Sequence, residues 1–353
     1  MRLDECLKLG ESAPTYFIAD IAANHDGDLQ RALELIRLAA ASGANAAKFQ
    51  NFLAETIVSR RGFQELGEKL THQKKWDKDV FEVYKDAELP IEWTEKLVEA
   101  CKKEGIEYFT APYDLGYISY FSTQMDYFKI GSGDITWKAS LEEIRKQNKP
   151  ILLATGASSL QDVEQAMAVI EHGKSPIVLM QCNTNYTGEA NNFEYLNLNV
   201  LKSYATRFPN VTLGLSDHSQ GHIAVLGAVT LGARVIEKHF TDDCSRKGPD
   251  HAFSLDPKSW RKMVEDTRIL ESCLGDGVKR VEENEVDAQV VQRRALRFKN
   301  KLQKGHVISE ADLISLRPCP KNSFTPFQIE EVLGRTLLVD VLGDSLVTGE
   351  VLS

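Results

Sequence analysis

The sequence has no long apolar run, no excess of basic residues and no regular spacing of cysteines. No stretch approaches the roughly 18 apolar residues needed to cross a bilayer, and segment 1–17 lacks the apolar core of a signal peptide. We therefore expect a cytoplasmic protein with no membrane partner. The 42 Lys and Arg residues against 51 Asp and Glu residues give a net charge of −9, which argues against a nucleic-acid partner. The six cysteines form no CxxC motif, so neither a zinc knuckle nor a disulfide framework is indicated.

Short apolar runs alternate with helical patterns along most of the chain. In segments 29–43 and 159–173, apolar residues recur every three or four positions, and Ser159 is placed to cap the second helix. Strands alternating with helices predict a parallel sheet, and eight such units predict a closed (β/α)8 TIM barrel. An open, doubly wound sheet is the alternative, but no GxGxxG motif follows the first run. The runs are 16–22, 45–51, 107–112, 126–132, 150–156, 176–182, 211–217 and 234–240.

The C-terminal part of the sequence has a different pattern, without the alternation of strands and helices. We predict a barrel domain over 1–280, a charged linker over 281–295 and a small β-rich domain over 296–353, where short runs are separated by KG, GD and a Pro-rich loop. About 60 residues cannot enclose a large pocket, so this domain is expected to cover or complete the barrel's site.

Polar residues follow the predicted strands. In a barrel of this kind the carboxyl ends of the strands form the active face, so these residues are the candidates for the site. They are Asp20, Asn24, His25, Lys48, Gln50, Thr110, Tyr113, Lys129, Ser132, Asp134, Asn183, Asn185, Tyr186, Ser216, Asp217, His218, Glu237, Lys238 and His239.

His218 and His239 end adjacent strands, where their imidazoles could share one divalent ion. Two ligands alone make a weak, exchangeable site. The alternative is a pair of histidines that merely form hydrogen bonds at the rim of the barrel.

Lys48 and Lys129 end strands that are otherwise apolar. A bare ammonium is costly to bury there without an anion. A phosphate or carboxylate ligand would satisfy both lysines, and so would pairing with Asp20, Asp134 or Asp217. Both arrangements can hold in turn as a ligand enters and leaves. For Tyr113 and Tyr186, packing at the rim of the barrel and contact with a ligand are equally consistent with the sequence.

Several motifs together carry a resemblance that covers nearly the whole chain. These segments resemble the sialic acid synthase family, whose members condense phosphoenolpyruvate with an N-acetylated hexose and carry an antifreeze-protein-like (SAF) domain at the C-terminus. The segments are ADIAANHDGD (19–28), AAKFQ (46–50), FKIGSGD (128–134), LSDHS (215–219), VIEKHF (235–240), GPDHAFSLDP (248–257) and KGHVISEADLISLRP (304–318).

The resemblance implies roles for individual residues. A manganese or magnesium ion held by His218 and His239 would polarise the aldehyde of the open-chain sugar. Phosphoenolpyruvate would lie against Lys48, Lys129 and Ser132, and a carboxylate, Asp20 or Asp134, would place the attacking water. Substrate would also contact a further set, which is Gln50, Thr110, Asn183, Asn185, Tyr186, Ser216 and Asp250.

The family's SAF domain also implies a partner. In that family this domain swaps across a homodimer and brings an arginine into the other subunit's site, and Arg317 matches that arginine. The expected partners are therefore phosphoenolpyruvate, a hexose and a second copy of the chain.

The sequence departs from the family at the sugar end of the site. Asp20 and Asp134 stand where relatives usually have Glu, CNTNYT (182–187) replaces the usual CTNxYP, and TGA (155–157) replaces TGM. These changes put the identity of the aldose in doubt. Two alternatives remain open, namely the same chemistry on a non-acetylated aldose to give a 3-deoxy-ulosonate, and a non-catalytic sugar-binding protein.

Overall fold

The computed structural model describes residues 1–173, 175–187 and 189–353. The chain forms two compact units, Met1–Gly275 and Asp276–Ser353. The segment 281–295, which we predicted as a linker, therefore lies within the second unit, where it includes the short helix Val286–Gln292.

The first unit is built on one sheet of eight parallel strands. The strands pair in the order β3, β2, β1, β8, β7, β6, β5, β4, and the two end strands lie next to each other. The sheet is thus rolled into a nearly closed barrel, which confirms the predicted fold. The strands are β1 Tyr16–Asp20, β2 Ala46–Asn51, β3 Glu107–Pro112, β4 Phe128–Ile130, β5 Ile151–Ala154, β6 Ile177–Cys182, β7 Thr212–Asp217 and β8 Val235–His239.

Helices connect the strands and form from local sequence signals. Asp28 caps the helix Leu29–Ala41 by accepting hydrogen bonds from two backbone N–H groups of its first turn, and the buried residues of that helix recur every three or four positions. Ser159 caps Leu160–Ile170 as predicted. The helices of this unit are α1 Leu3–Leu9, α2 Leu29–Ala41, α3 Ala54–Ile57, α4 Arg60–Glu65, α5 Val80–Asp86, α6 Thr94–Glu104, α7 Leu115–Gln124, α8 Lys138–Lys146, α9 Leu160–Ile170, α10 Val200–Arg207, α11 Ile223–Thr230 and α12 Pro257–Leu274.

Strand register decides which polar side chains meet. Asp20 at the end of β1 is paired in register with Lys48 on β2 and with His239 on β8. Ser216 on β7 is paired with Glu237 on β8. Because side chains two apart on a strand share a face, Glu237 and His239 both point into the barrel, whereas Lys238 points away from it.

Gly214 shows how tightly the barrel interior is filled. A Cβ at this position would lie 2.9 Å from the Cγ of Met180 and 2.9 Å from the backbone oxygen of Val235. The backbone oxygen cannot give way, so only glycine fits at this point of β7.

The second unit is small and β-rich, as predicted. It contains the antiparallel strands β9 Ala295–Phe298 and β10 Leu313–Leu316 and the helices α13 Val286–Gln292 and α14 Ile329–Val332. Its own core includes Leu296, Phe298, Ile308, Val332, Leu337 and Val347. In neither unit do the described residues form a helix long and apolar enough to span a membrane.

Candidate active site

A cavity of about 630 Å³ opens at the carboxyl ends of the strands. This is within the size range of small-molecule sites. Its floor is polar and lies at the ends of the strands. One wall is largely aromatic and is formed by the chain segments that follow β2 and β6. The floor residues include Asp20, Lys48, Gln50, Lys129, Ser132, Ser216, Glu237, His218 and His239.

Four buried charges lie at the centre of the floor. The Nζ of Lys48 lies 2.6 Å from Oδ2 of Asp20 and 3.4 Å from Oε1 of Glu237, and the Nζ of Lys129 lies 3.3 Å from the same Glu237 oxygen. Each of these side chains is 4% exposed or less. Two ammonium groups thus face two carboxylates, which balances the charge and makes the burial tolerable.

The cluster controls the protonation of its members. Burial disfavours the charged form of Lys48, but Asp20 and Glu237 outweigh burial and raise the pKa of this lysine above its ordinary value. Burial also acts against the Glu237 carboxylate, but Lys129 and Lys48 outweigh it and lower the pKa of Glu237 to about 2. Burial lowers the pKa of Lys129, and Glu237 offsets part of that effect.

Of the lysine partners considered from the sequence, only Asp20 is used by the described residues. Asp217 instead accepts a hydrogen bond from the Nζ of Lys238 at 2.7 Å, on the outer face of the strands, and Asp134 forms no ion pair with another described residue. The partner of Lys129 is Glu237, to which the sequence analysis gave no role. The spacing in the sequence could have indicated this role, because Glu237 precedes His239 by two residues on one strand and therefore lies on the same face.

His218 and His239 lie side by side, with ring centroids 5.2 Å apart. Burial lowers the pKa of each imidazole to about 3, so both rings are neutral at pH 7. The Nδ1 of His218 lies 3.0 Å from the backbone oxygen of Asn183. A carbonyl oxygen can only accept, so Nδ1 carries the proton and Nε2 keeps its lone pair.

The Nδ1 of His239 is buried without a hydrogen-bond partner among the described residues, and it lies 4.0 Å from Oδ2 of Asp250. A buried, unpaired nitrogen beside a second neutral imidazole fits a divalent ion. Within residues 1–173, 175–187 and 189–353, no group of three or more His, Cys, Asp or Glu side chains is placed to hold a metal. The described residues thus offer two neighbouring imidazoles, and a bound ion would need water or substrate for its other ligands.

Hydroxyl and amide groups complete the floor. The Oγ of Ser132 accepts a hydrogen bond from the Gly156 N–H at 2.9 Å, which leaves its own proton for a ligand. The hydroxyl of Ser216 donates to Glu237 at 3.0 Å, and Gln50 donates to Asp20 at 3.3 Å.

Two further carboxylates line the cavity above the floor. Burial raises the pKa of Asp134 to about 6 and that of Asp250 to about 6. Asp250 accepts a hydrogen bond from the Ala23 N–H at 3.1 Å. Both carboxylates are mostly ionised at pH 7, yet each can hold a proton more readily than a solvated aspartate.

The turn that carries Asp250 is anchored by the next residue. The buried His251 ring lies with Nε2 3.0 Å from Oδ1 of Asp26 and Nδ1 2.7 Å from the hydroxyl of Thr241. A Cβ on Gly248 would lie 2.6 Å from the His251 ring. The sequence GPDH therefore fixes the Asp250 carboxylate through tight packing on both sides.

Aromatic rings form a continuous set of contacts along one side of the cavity. We call Phe52, His72, Trp76, Tyr84 and Tyr186 the aromatic wall; all five line the cavity. Successive ring centroids, from Phe52 to Tyr84, Trp76, His72 and Tyr186, are 5.4, 6.5, 5.1 and 5.0 Å apart. Tyr186 then lies 4.3 Å from the ring of His218. The wall thus joins the segment 52–88 to the histidine pair.

The match to known families agrees with this arrangement. A model of the NeuB family matches residues 35–279, which is more than half of the chain. The chain belongs to the NeuB family. A model of the SAF domain matches residues 293–352, so this NeuB family member also carries the second domain expected from its motifs.

Relatives of this NeuB family member are named as synthases of sialic-acid-type sugars. N,N'-diacetyllegionaminic acid synthase of Campylobacter jejuni is 34% identical over 94% of this chain and 98% of its own length. N-acetylneuraminate-9-phosphate synthase of Homo sapiens is 27% identical over 97% of this chain and 94% of its own length. The crystal structure of spore coat polysaccharide biosynthesis protein SpsE from Bacillus subtilis aligns with a TM-score of 0.63 at 29% identity, covering 98% of this chain and 96% of that chain.

Not every site residue predicted from the sequence of this NeuB family member lines the cavity. The Thr110 hydroxyl is buried and donates to Oδ1 of Asn51 at 2.7 Å. The amide of Asn183 donates to the Tyr195 backbone, and Asn185 is exposed. Neither Asn183 nor Asn185 lines the cavity, whereas Thr184 between them does. Arg317 is an exposed residue of the second unit, directly after β10.

The charge cluster makes a prediction about stability. Glu237→Gln keeps the shape of the side chain but removes the carboxylate that pairs with Lys129. We expect the free energy of unfolding to fall by about 3–5 kcal/mol, because an uncompensated ammonium stays buried. Denaturant unfolding followed by circular dichroism measures the change.

The control is the double variant Glu237→Gln with Lys129→Met, which removes both charges and should recover most of the lost stability. A single variant as stable as the natural protein would contradict the role assigned to this ion pair.

Proposed function

We propose that this protein condenses phosphoenolpyruvate with an amino-sugar aldose, N-acetylmannosamine or a related acetamido hexose, and water, to give a sialic-acid-type nonulosonate and phosphate. The observation that carries the proposal is the pair of buried lysines, Lys48 and Lys129, which open on a cavity beside two neutral imidazoles. The names of the relatives support the same reaction class.

Phosphoenolpyruvate is the ligand that suits the floor. Its carboxylate and phosphate would take over the positive charge of Lys48 and Lys129, and the Ser132 hydroxyl would donate a further hydrogen bond. Fixing a trianionic substrate at three points provides the positioning that lowers the barrier of a bimolecular reaction.

A manganese or magnesium ion fits the histidine pair. His218 and His239 would hold it through unprotonated ring nitrogens. Such an ion supplies Lewis-acid polarisation of the sugar aldehyde. Asp250, 4.0 Å from His239, would accept a hydrogen bond from a hydroxyl of that sugar.

The bond changes balance without any other reagent. C3 of phosphoenolpyruvate forms a bond to the aldehyde carbon, whose oxygen takes up a proton. Water adds to C2; one of its protons passes through a carboxylate to the former aldehyde oxygen, and the other leaves with phosphate as the C2–O bond breaks and C2 becomes a ketone. Burial raises the pKa of both Asp20 and Asp134, that of Asp134 to about 6. Asp134 suits the general base better, because Asp20 lies 2.6 Å from the Nζ of Lys48 whereas Asp134 forms no ion pair with another described residue.

The origin of one oxygen atom tests the proposal. With a reactive aldose in water enriched in heavy oxygen, we expect one solvent oxygen at C2 of the ulosonate and none in the released phosphate. Mass spectrometry of both products measures this. Solvent oxygen in the phosphate would mean P–O cleavage and a different reaction class. Absence of phosphoenolpyruvate consumption with any aldose would refute the proposed function.

A second test concerns the metal. Excess chelator should abolish turnover, and Mn²⁺ or Mg²⁺ should restore it. His218→Ala and His239→Ala should each lower turnover by several orders of magnitude and weaken Mn²⁺ binding measured by electron paramagnetic resonance. His222→Ala is the matched control, because His222 pairs with Asp266 away from the cavity. Full activity in excess chelator would refute the metal site.

A third test concerns the second domain. We propose that the protein is a domain-swapped homodimer in which Arg317 acts in the partner's site. Arg317→Ala and His239→Ala should each be nearly inactive, and mixing them under subunit exchange should restore activity, because some hybrid sites draw both intact residues from different chains. No recovery despite proven exchange would place Arg317 outside the partner's site.

A further inference from the structure

Tyr113 brings a hydroxyl group into the cavity from the end of a barrel strand. It is the first residue after β3, and its side chain lines the cavity. Its backbone N–H donates to the backbone oxygen of Asn51 at 2.9 Å, which continues the pairing of β3 with β2. The barrel thus fixes the backbone from which the Tyr113 ring projects.

The ring of Tyr113 lies directly on Gly131, the residue after β4. A Cβ at Gly131 would lie 2.5 Å from the hydroxyl oxygen of Tyr113 and 3.1 Å from two of its ring carbons. Gly131 has φ −69° and ψ 153°, an extended conformation that any residue adopts. The close approach of the ring, and not the backbone conformation, therefore requires glycine at this position.

A second contact holds the ring in place. Phe52 packs against Tyr113 with ring centroids 6.3 Å apart and an angle of 69° between the planes. With Phe52 on one side and Gly131 at the hydroxyl end, the ring has little freedom to turn away. The Tyr113 hydroxyl is thus held over the residue that precedes Ser132.

This hydroxyl forms no hydrogen bond within residues 1–173, 175–187 and 189–353. Other tyrosines of the barrel differ in this respect. The hydroxyl of Tyr16 lies 2.6 Å from Oε2 of Glu107, and that of Tyr204 donates to Thr155 at 3.0 Å. A tyrosine in a fixed orientation, with no protein partner for its hydroxyl, offers that group to a ligand in the cavity.

The surroundings of the hydroxyl keep it protonated. Burial raises the pKa of Tyr113 above its ordinary value, and the charge of Lys48 offsets part of this effect, whereas Asp134 and Asp20 add to it. At pH 7 the group is therefore a neutral phenol that can donate a hydrogen bond. Among the charges that act on it, that of Lys48 has the largest effect, so the hydroxyl belongs with the lysines of the floor.

The carboxylate and phosphate groups of phosphoenolpyruvate present hydrogen-bond acceptors. Lys48, Lys129 and Ser132 donate to them in the proposed complex. The phenol adds a fourth donor and brings no charge that would need compensation when the cavity is empty. A hydrogen bond from a neutral donor to an oxyanion is stronger than one between two neutral groups.

We propose that the Tyr113 hydroxyl binds phosphoenolpyruvate by donating a hydrogen bond to one of its oxyanions, and that Gly131 is a positioning residue that lets the ring approach. This inference rests on the proposed function and adds a binding residue to it. None of the segments that carry the family resemblance contains Tyr113.

The experiment compares the natural protein with Tyr113→Phe. Isothermal titration calorimetry with Mn²⁺ and without aldose measures the Kd of phosphoenolpyruvate. We expect Kd to rise at least about tenfold, which corresponds to about 1.4 kcal/mol. The KM for the aldose should stay unchanged. The midpoint of thermal unfolding of the free protein should also stay unchanged, because the hydroxyl has no protein partner to lose.

Tyr117→Phe is the matched control. Tyr117 lies on α7, packs against Phe121 and does not line the cavity, so removing its hydroxyl should leave the Kd of phosphoenolpyruvate unchanged. Inorganic phosphate and pyruvate, tested as competitors of phosphoenolpyruvate, show which end the Tyr113 hydroxyl contacts. Tyr113→Phe should weaken one of these two competitors and leave the other unchanged. Unchanged inhibition by both would overturn the inference.

Gly131→Ala displaces the ring without removing the hydroxyl, and it serves as the second variant if Tyr113→Phe folds poorly. We expect it to weaken phosphoenolpyruvate binding about tenfold in the natural protein. In the Tyr113→Phe background it should cost less than about threefold, because the hydrogen bond is already absent. Fully additive losses would overturn the positioning role of Gly131.

The outcomes separate this inference from the proposed function. If Tyr113→Phe binds phosphoenolpyruvate as tightly as the natural protein while turnover continues, only the inference fails. A loss of affinity accompanied by a lower unfolding midpoint would also overturn it, since it would reveal a structural role. If the natural protein binds phosphoenolpyruvate but consumes none with any aldose, the proposed function fails and calorimetry alone decides the role of Tyr113. Absence of both binding and turnover would overturn both.

Discussion

The buried pairing of Lys48 and Lys129 with Asp20 and Glu237 is the interaction on which the rest of the site depends. An ammonium group this deep in a barrel requires a carboxylate, and the carboxylates reach it only if the strands keep their register. Burial, followed by the charge of Lys48, lowers the pKa of the neighbouring His239, so that its imidazole stays neutral. An anionic ligand that enters the floor therefore replaces carboxylates that already compensate the lysines.

Sequence reasoning recovered the barrel because each strand is a short apolar run that ends in polar residues. It also placed Lys48, Lys129, His218 and His239 at one edge, since the carboxyl ends of parallel strands share that edge. It named Glu237 among the polar residues at the strand ends but gave it no role, although the alternation of strand residues puts Glu237 on the same face as His239. Strand position alone wrongly placed Thr110 in the site, because its hydroxyl donates a hydrogen bond to the neighbouring Asn51.

Apart from Tyr186, the residues of the aromatic wall could not be predicted from sequence patterns. Most of its residues come from segment 52–88, where α3, α4 and α5 are four to seven residues long. Helices this short show no repeated apolar face, so the pattern that identified α2 and α9 is missing. Their positions follow instead from contacts between rings that are distant in sequence, such as the contact of His72 with Tyr186. Contacts of that kind are visible only in three dimensions.

The segment 52–88 lies between β2 and α6 and contributes no strand to the barrel. The floor of the cavity is thus built by the strands of the barrel, whereas most of the wall is built by a segment outside the sheet. A substitution in the floor disturbs buried charges and the register of the barrel. A substitution in the wall changes the surface of the cavity without affecting the pairing of the strands. Substitutions in the wall can therefore change which ligand the cavity selects, while the buried charges of the floor stay intact.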